Sequence, residues 1–157
     1  DLDRNCLFRE EFEMAEKYKK IIIAVDGSKA SEKAFNKAVD VAKENGATLV
    51  LAHVVDSRTF ATAEAYDRSL SERAQKYAED LLNEYVQNAK DAGLEDVDLV
   101  IKYGSPKVAI SKEIAVENEA DLIVVGATGL NAVERFLIGS VSEAVARYSK
   151  CDVLIVR

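Results

Sequence analysis

The sequence is poor in the residues that cross-linked and membrane-embedded proteins rely on. Of 157 residues only two are cysteine, Cys6 and Cys151, at opposite ends of the chain. They give neither a C-x-x-C pair nor a disulfide framework, which suits a reducing compartment and leads us to expect a cytoplasmic protein. No apolar run approaches the roughly 18 to 20 residues that a membrane helix needs. The opening DLDRNCLFREEFEMAEK lacks the apolar core of a signal peptide. No membrane association is therefore expected. A basic block is absent as well: 21 Lys and Arg are scattered among 28 Asp and Glu for a net charge of -7. Nothing here would neutralise a run of phosphates, so nucleic acid is not an expected partner. A single small anion is not excluded by that balance, since backbone N–H groups or a metal ion can hold phosphate without surplus Lys or Arg. Internal repeats and low-complexity tracts are also missing.

What is there reads as one folded domain. Hydrophobic residues make up 48% and charged residues 31% of the chain, too apolar for disorder. A domain of this length buries roughly 68 to 70% of the surface its unfolded chain exposes. Residues 1–18 form an acidic lead-in, with Phe8 and Phe12 one helical turn apart, and residues 19–157 form the domain.

Five short Val- and Ile-rich runs stand out: Ile21 to Val25, Thr48 to Val55, Val97 to Ile101, Leu122 to Val125 and Val153 to Val156. They are nearly continuous rather than alternating, as expected of strands buried on both faces of a parallel sheet. Helical stripes lie between them. Ala30, Ala34, Phe35, Ala38, Val41 and Ala42 lead to Gly46; Leu70, Ala74, Tyr77, Ala78, Leu81, Leu82, Tyr85, Val86 and Ala89 lead to Gly93. A third helix opens at Ser105-Pro106, where the only proline occupies the favoured first helical position, and carries Ala109, Ile110 and Ile114. A fourth spans about Ser140 to Tyr148. The stretch Asp56 to Ser69 has weak periodicity and reads as a surface connection. This alternation predicts an α/β fold, a doubly wound, Rossmann-like sheet with helices on both faces. Such sheets bind ligands at the carboxyl ends of their strands, near the switch point.

At one of those ends lies GATGLNAVERFLIGS, residues 126–140. Glycines after a strand let the chain turn through positive φ and bring N–H groups close to a ligand. Gly139-Ser140 then starts a helix, whose free N–H groups and dipole suit an anion. The competing reading is structural: Ser140-Val-Ser-Glu143 has the S-x-x-E form of a capping box, and glycines are ordinary turn residues. Both readings stand on spacing alone. No Lys follows Gly139, so this is not a Walker A loop, and the G-x-G-x-x-G spacing is absent.

Other residues admit paired readings too. Asp26 either contacts a ribose hydroxyl or a metal-bound water, or caps the helix that begins near Ser28; strand-end carboxylates in this fold class favour the ligand role. His53, the only histidine, lacks an accompanying nucleophile, so it reads as packed at a strand end rather than as a base. Arg135 beside Glu134 reads as a solvated charge, and Val133, Phe136 and Leu137 as the apolar face of a short helix.

The pattern G-x2-G-x9-G-S, carried by Gly126, Gly129, Gly139 and Ser140, resembles the ATP-binding motif of the universal stress protein family. AVDGS (Ala24 to Ser28), HVVD (His53 to Asp56), GSP (Gly104 to Pro106) and the last strand from Cys151 to Val156 follow in the family's order. The resemblance covers about residues 19–157. It implies a five-stranded parallel sheet in the order 3-2-1-4-5 that binds ATP with Mg²⁺ or Mn²⁺. On it, Ala24, Val25 and Asp26 would line the adenine and ribose side, the backbone of Val54 would meet the adenine edge, and Val125 and Gly126 would face the ribose. Gly129, Gly139, Ser140, Val141 and Ser142 would hold the phosphates. Thr128 stands where many relatives carry His or another small polar residue.

The family resemblance and the apolar last strand together imply a homodimer paired through Val153–Val156, since an exposed apolar edge is normally covered. The expected role is a nucleotide-dependent switch in stress response with slow hydrolysis or none, at most a weak ATPase, with no catalytic residue and no protein metal ligand assigned. Two alternatives remain: a nucleotide-free dimer acting by contact, and a nucleotide-hydrolysing enzyme of related fold. The second would carry SGGxDS or HIGH after the first strand, where this chain has AVDGS.

Overall fold

The computed structural model describes residues 18–56, 68–128 and 138–157. Five strands and four helical stretches alternate: β1 (Lys20–Ala24), α1 (Lys29–Asn45), β2 (Thr48–Asp56), α2 (Arg68–Asp91), β3 (Val97–Gly104), α3, β4 (Leu122–Gly126), α4 (Ser140–Tyr148) and β5 (Asp152–Val156). The stretch α3 is composite, an α turn Pro106–Val108, a π-helical segment Ala109–Ile114 and a second α turn Ala115–Glu117. The strands form one parallel sheet in the order β3-β2-β1-β4-β5. The doubly wound architecture and the strand order are those expected. Among the described residues no helix is long and apolar enough to cross a membrane.

Alternate residues of each strand feed two apolar layers. Ile21, Ile23, Leu49, Leu51, Leu122 and Val124 face α1 and α2, where they meet Ala34, Ala38, Leu82 and Tyr85. Ile22, Val50, Ala52, Ile123 and Val125 face α3 and α4, against Ile110, Ile114 and Val145. Phe35 and Tyr85 join α1 to α2 edge to face, with ring centroids 4.7 Å apart. The three inner strands are thus buried on both faces. The edge strands are not: Leu99 and Tyr103 of β3 are 45% and 47% exposed, and Val153 to Val156 of β5 are half-buried. An apolar run does not distinguish an inner strand from an edge, because only the neighbours decide which faces are covered.

The π-helical segment is a second departure from expectation. Ala109, Ile110, Ser111 and Ile114 are all buried, and the Ser111 hydroxyl donates to the Lys107 carbonyl at 3.2 Å. The wider turn brings three successive residues to the core side, and the serine satisfies itself on the backbone of its own helix. Ser105 precedes this stretch without a side-chain cap bond, while Pro106 takes its first position.

Asp56 closes β2 and Ser69 lies within α2, so the connection between them is shorter than the sequence suggested; residues 57–67 lie outside the described residues. At the opposite, amino ends of the strands, one Asp121 carboxylate oxygen accepts from the backbone N–H groups of Lys19 (2.7 Å) and Lys20 (2.9 Å). Nearby, the Tyr18 hydroxyl donates to Asp152 at 2.8 Å and the Tyr18 N–H to the Asn45 side chain at 3.1 Å.

Candidate functional site

The sheet order places the switch point between β1 and β4, where the connection after β1 runs to the α1 face and the connection after β4 runs to the α4 face. Three neighbouring strand ends meet there. Ala24, Val25 and Asp26 end β1, Val54 lies near the end of β2, and Val125, Gly126 and Thr128 end β4. Ile23 pairs with Val124, and Ala24 with Ala52.

The β1 end is shaped by a chain of short-range bonds. Asp26 accepts from the Ser28 N–H at 2.9 Å, and the Ser28 hydroxyl accepts from the Ser31 N–H at 3.1 Å. Ser28, not Asp26, is therefore the cap of α1. The Asp26 carboxylate holds the turn from one residue further out, with its side chain half-buried at the strand end. Gly27 stands between them at φ 84°, and a Cβ there would lie 2.6 Å from the Tyr77 hydroxyl. Tyr77, read as part of a core stripe, is instead 54% exposed and reaches from α2 over this turn. Its ring meets His53 edge-on with centroids 6.2 Å apart. His53 itself is buried, with Nδ1 2.7 Å from the Val25 carbonyl oxygen. This is the packed strand-end histidine that the sequence suggested.

The β4 end is fastened to α4. The Gly139 N–H donates to the Ala127 carbonyl at 2.6 Å. The buried Ser142 hydroxyl donates to the carbonyls of Gly126 (2.7 Å) and Ala127 (3.2 Å). The Ala127 N–H in turn donates to the Val156 carbonyl at 2.8 Å, so β5 is tied into the same corner. Gly126 does not take a positive φ, contrary to the turn expected of it. Its reason is proximity: a Cβ would lie 2.8 Å from both the carbonyl carbon and oxygen of Ala30 in the first turn of α1. The glycine lets α1 and β4 close on each other. Gly129 lies outside the described residues, as do Val133, Arg135, Phe136 and Leu137 of the intervening stretch.

The capping box is not formed. The helix begins at Ser140 with Gly139 in the cap position, and no side chain bonds to the cap. That shift puts Glu143 in the fourth helical position, where it pairs with Arg147 at 2.9 Å instead. Helix geometry then leaves the N–H groups of Ser140, Val141 and Ser142 without an acceptor within α4. Ser140 is exposed, Val141 half-buried and Ser142 buried. Uncapped N–H groups with the positive end of the helix dipole behind them are suited to an anion's oxygens. The Ser142 hydroxyl proton is already committed to the strand-end carbonyls, so at that position the backbone is the group left for a ligand.

The sequence profile of the Universal stress protein family matches residues 17–157. A curated Staphylococcus saprophyticus relative bearing a universal stress protein name is 53% identical over 140 residues, 89% of this chain and 84% of its own. The universal stress protein UspA from Lactobacillus plantarum superposes with a TM-score of 0.81 at 33% identity, covering 90% of this chain and 99% of that one. A universal stress protein solved in complex with cAMP superposes at 0.71 with 32% identity, over 90% and 99% of the two chains. The chain belongs to the universal stress protein family.

Proposed function

We propose that this chain is a cytoplasmic, ATP-binding universal stress protein, a switch whose state is set by nucleotide occupancy and which hydrolyses its ligand slowly or not at all. The observation that carries the reading is the uncapped start of α4, pinned to the end of β4 by Gly139 and Ser142. Its free N–H groups start at the end of β4, the sheet neighbour of β1, and a nucleoside would rest across those two strand ends. The solved relative with bound cAMP makes an adenine nucleotide the natural class.

In this reading Ala24, Val25 and Asp26 line the base and ribose side, Val54 meets the base through its backbone, and Val125 and Gly126 back the ribose. The N–H groups of Ser140, Val141 and Ser142 receive phosphate oxygens, with Thr128 beside them and Gly129 completing the motif. Gly139, whose own N–H is spent on the Ala127 carbonyl, fixes the start of the helix rather than holding phosphate itself. Mg²⁺ or Mn²⁺, carried by the phosphates, would offset their charge. The chain's own residues bind and orient, and His53 spends its Nδ1 proton on a backbone carbonyl rather than on a substrate. Residues 1–18 form a lead-in to this domain of residues 19–157. The partner is a second copy, paired through Val153–Val156 of the edge strand β5.

Calorimetric titration with ATP, ADP and AMP in the presence of Mg²⁺ tests the reading. The parent is compared with Ser140→Pro, which removes one N–H at the position where helices accept proline most readily. Gly139 before it is already extended at ψ 158°, as a residue ahead of proline should be. We expect ATP to bind and the variant to bind it about tenfold more weakly with unchanged melting. No heat from any nucleotide, with copurified ligand excluded by denaturation and assay, would replace this reading with a dimer acting by contact alone.

A further inference from the structure

The ladder between β1 and β2 stops one rung before it needs to, and a side chain takes the missing rung's place. In β2, Thr48 N–H donates to the Lys19 carbonyl at 2.9 Å, whereas Leu49 N–H donates to Asp96 ahead of β3 at 3.0 Å. Even-numbered residues of β2 therefore bond toward β1 and odd-numbered ones toward β3. At the other end Val25 N–H donates to the Ala52 carbonyl at 2.8 Å. The next rung of a parallel ladder would run from Val54 N–H to the Val25 carbonyl. Among the described residues no backbone bond joins these two groups. The Val25 carbonyl instead meets His53 Nδ1 at 2.7 Å. A carbonyl only accepts, so Nδ1 carries the proton.

We infer that His53 is a positioning residue: its imidazole substitutes for the final β1–β2 rung and so holds the Val54 N–H and carbonyl open toward a ligand. The surroundings fit this role. Beyond Val25 the β1 chain turns away through Gly27 at φ 84°, leaving the β1 side of Val54 without a strand. The Tyr77 ring packs edge-on against the imidazole and fixes its plane. Val54 is half-buried, so an acceptor brought to its N–H is partly shielded from competing water. A donor and an acceptor on one residue match a base that carries a ring-nitrogen acceptor beside an exocyclic amino group. Adenine presents that pair; guanine presents the reverse on the same edge. The inference rests on the nucleotide reading above only for the identity of the base.

Amide hydrogen exchange on the full chain without nucleotide tests the ladder directly. The Val54 amide is expected to exchange at least a hundredfold faster than that of Ala52, which lies on the same side of the same strand. In His53→Phe, which keeps an aromatic ring but has no donor, Val54 should recover its bond to Val25 and become protected. His53→Asn, whose amide offers a donor near the Nδ1 position, should keep the parent's pattern. Titration with ATP and 1-deaza-ATP, which lacks the ring-nitrogen acceptor, supplies the second readout. The parent should prefer ATP about tenfold, one hydrogen bond's worth, and His53→Phe should lose that preference while binding ATP about tenfold more weakly. Slow exchange of Val54 in the parent overturns the inference without recourse to any variant, as does a Phe variant with unchanged exchange and unchanged preference. If Val54 follows His53 as expected but no nucleotide binds, the nucleotide reading falls and the substituted rung stands.

Discussion

The Ser142 hydroxyl reaches back 16 residues to the Gly126 carbonyl at 2.7 Å, so the first turn of α4 is bolted to the end of β4. Replacing it by Ala leaves the strand-end carbonyls of Gly126 and Ala127 without this donor in a buried corner. Ser142→Ala should cost about 1–3 kcal/mol of stability by urea unfolding. It should also weaken ATP binding, because the N–H groups of α4 lose their fixed placement.

Gly126 should tolerate no side chain. In Gly126→Ala the new methyl would meet backbone atoms of Ala30 at 2.8 Å, and a helix backbone cannot rotate out of the way as a side chain does. We expect a loss of about 1–3 kcal/mol, read as a lowered denaturation midpoint.

Gly27 separates two costs that usually arrive together. Gly27→Ala should be destabilising both through its φ of 84° and through the Tyr77 hydroxyl 2.6 Å from the new methyl. In a Tyr77→Phe background the second cost should shrink, leaving the backbone term of about 1–2 kcal/mol. A double-mutant cycle in thermal or chemical unfolding measures the difference. Equal losses in both backgrounds would mean that the phenol moves aside freely.

Tyr18 should make the fold sensitive to alkali. Its hydrogen bond to Asp152, then burial and the Asp152 charge, raise the phenol above its ordinary range. A pKa raised on folding contributes stability that is complete below the unfolded value, about 10, and is lost as pH rises through the folded value. The melting-temperature gap between the parent and Tyr18→Phe should therefore be present at pH 8 and narrow above about pH 10.

The proposed β5 pairing can be broken without touching the sheet. Val156 turns its carbonyl toward β4, so Val153, three positions earlier, turns its N–H outward. Val153→Pro removes only that outward donor, as edge strands permit. Light scattering should find the parent at twice the monomer mass and the variant at the monomer mass.

Much of this was written locally in the sequence. The helix stops at Gly46 and Gly93 follow from residues within a turn of the boundary. What local pattern does not carry is whatever depends on a distant neighbour. The exposure of Leu99 and Tyr103 follows from β3 having a strand on one side only. The close approach of Gly126 to Ala30 and the bond from His53 to Val25 link residues far apart in the chain. The displaced cap at Ser140 failed for a subtler reason: S-x-x-E fits a helix starting one residue later, and Gly139, bonded to Ala127, fixes the earlier start.

The clamp of Asp121 on the N–H groups of Lys19 and Lys20 gives the molecule a front and a back for attachment chemistry. A dye or surface tether joined just ahead of Tyr18 begins at the rear of the sheet. There it is separated from the proposed nucleotide site at the carboxyl ends of the strands by the length of β1, ~16 Å at 3.3 Å per residue. One joined after Arg157 begins next to Val156, whose carbonyl holds Ala127 at the mouth of the site. Immobilisation through the rear should leave the proposed nucleotide site unhindered, while immobilisation beside Arg157 should crowd it.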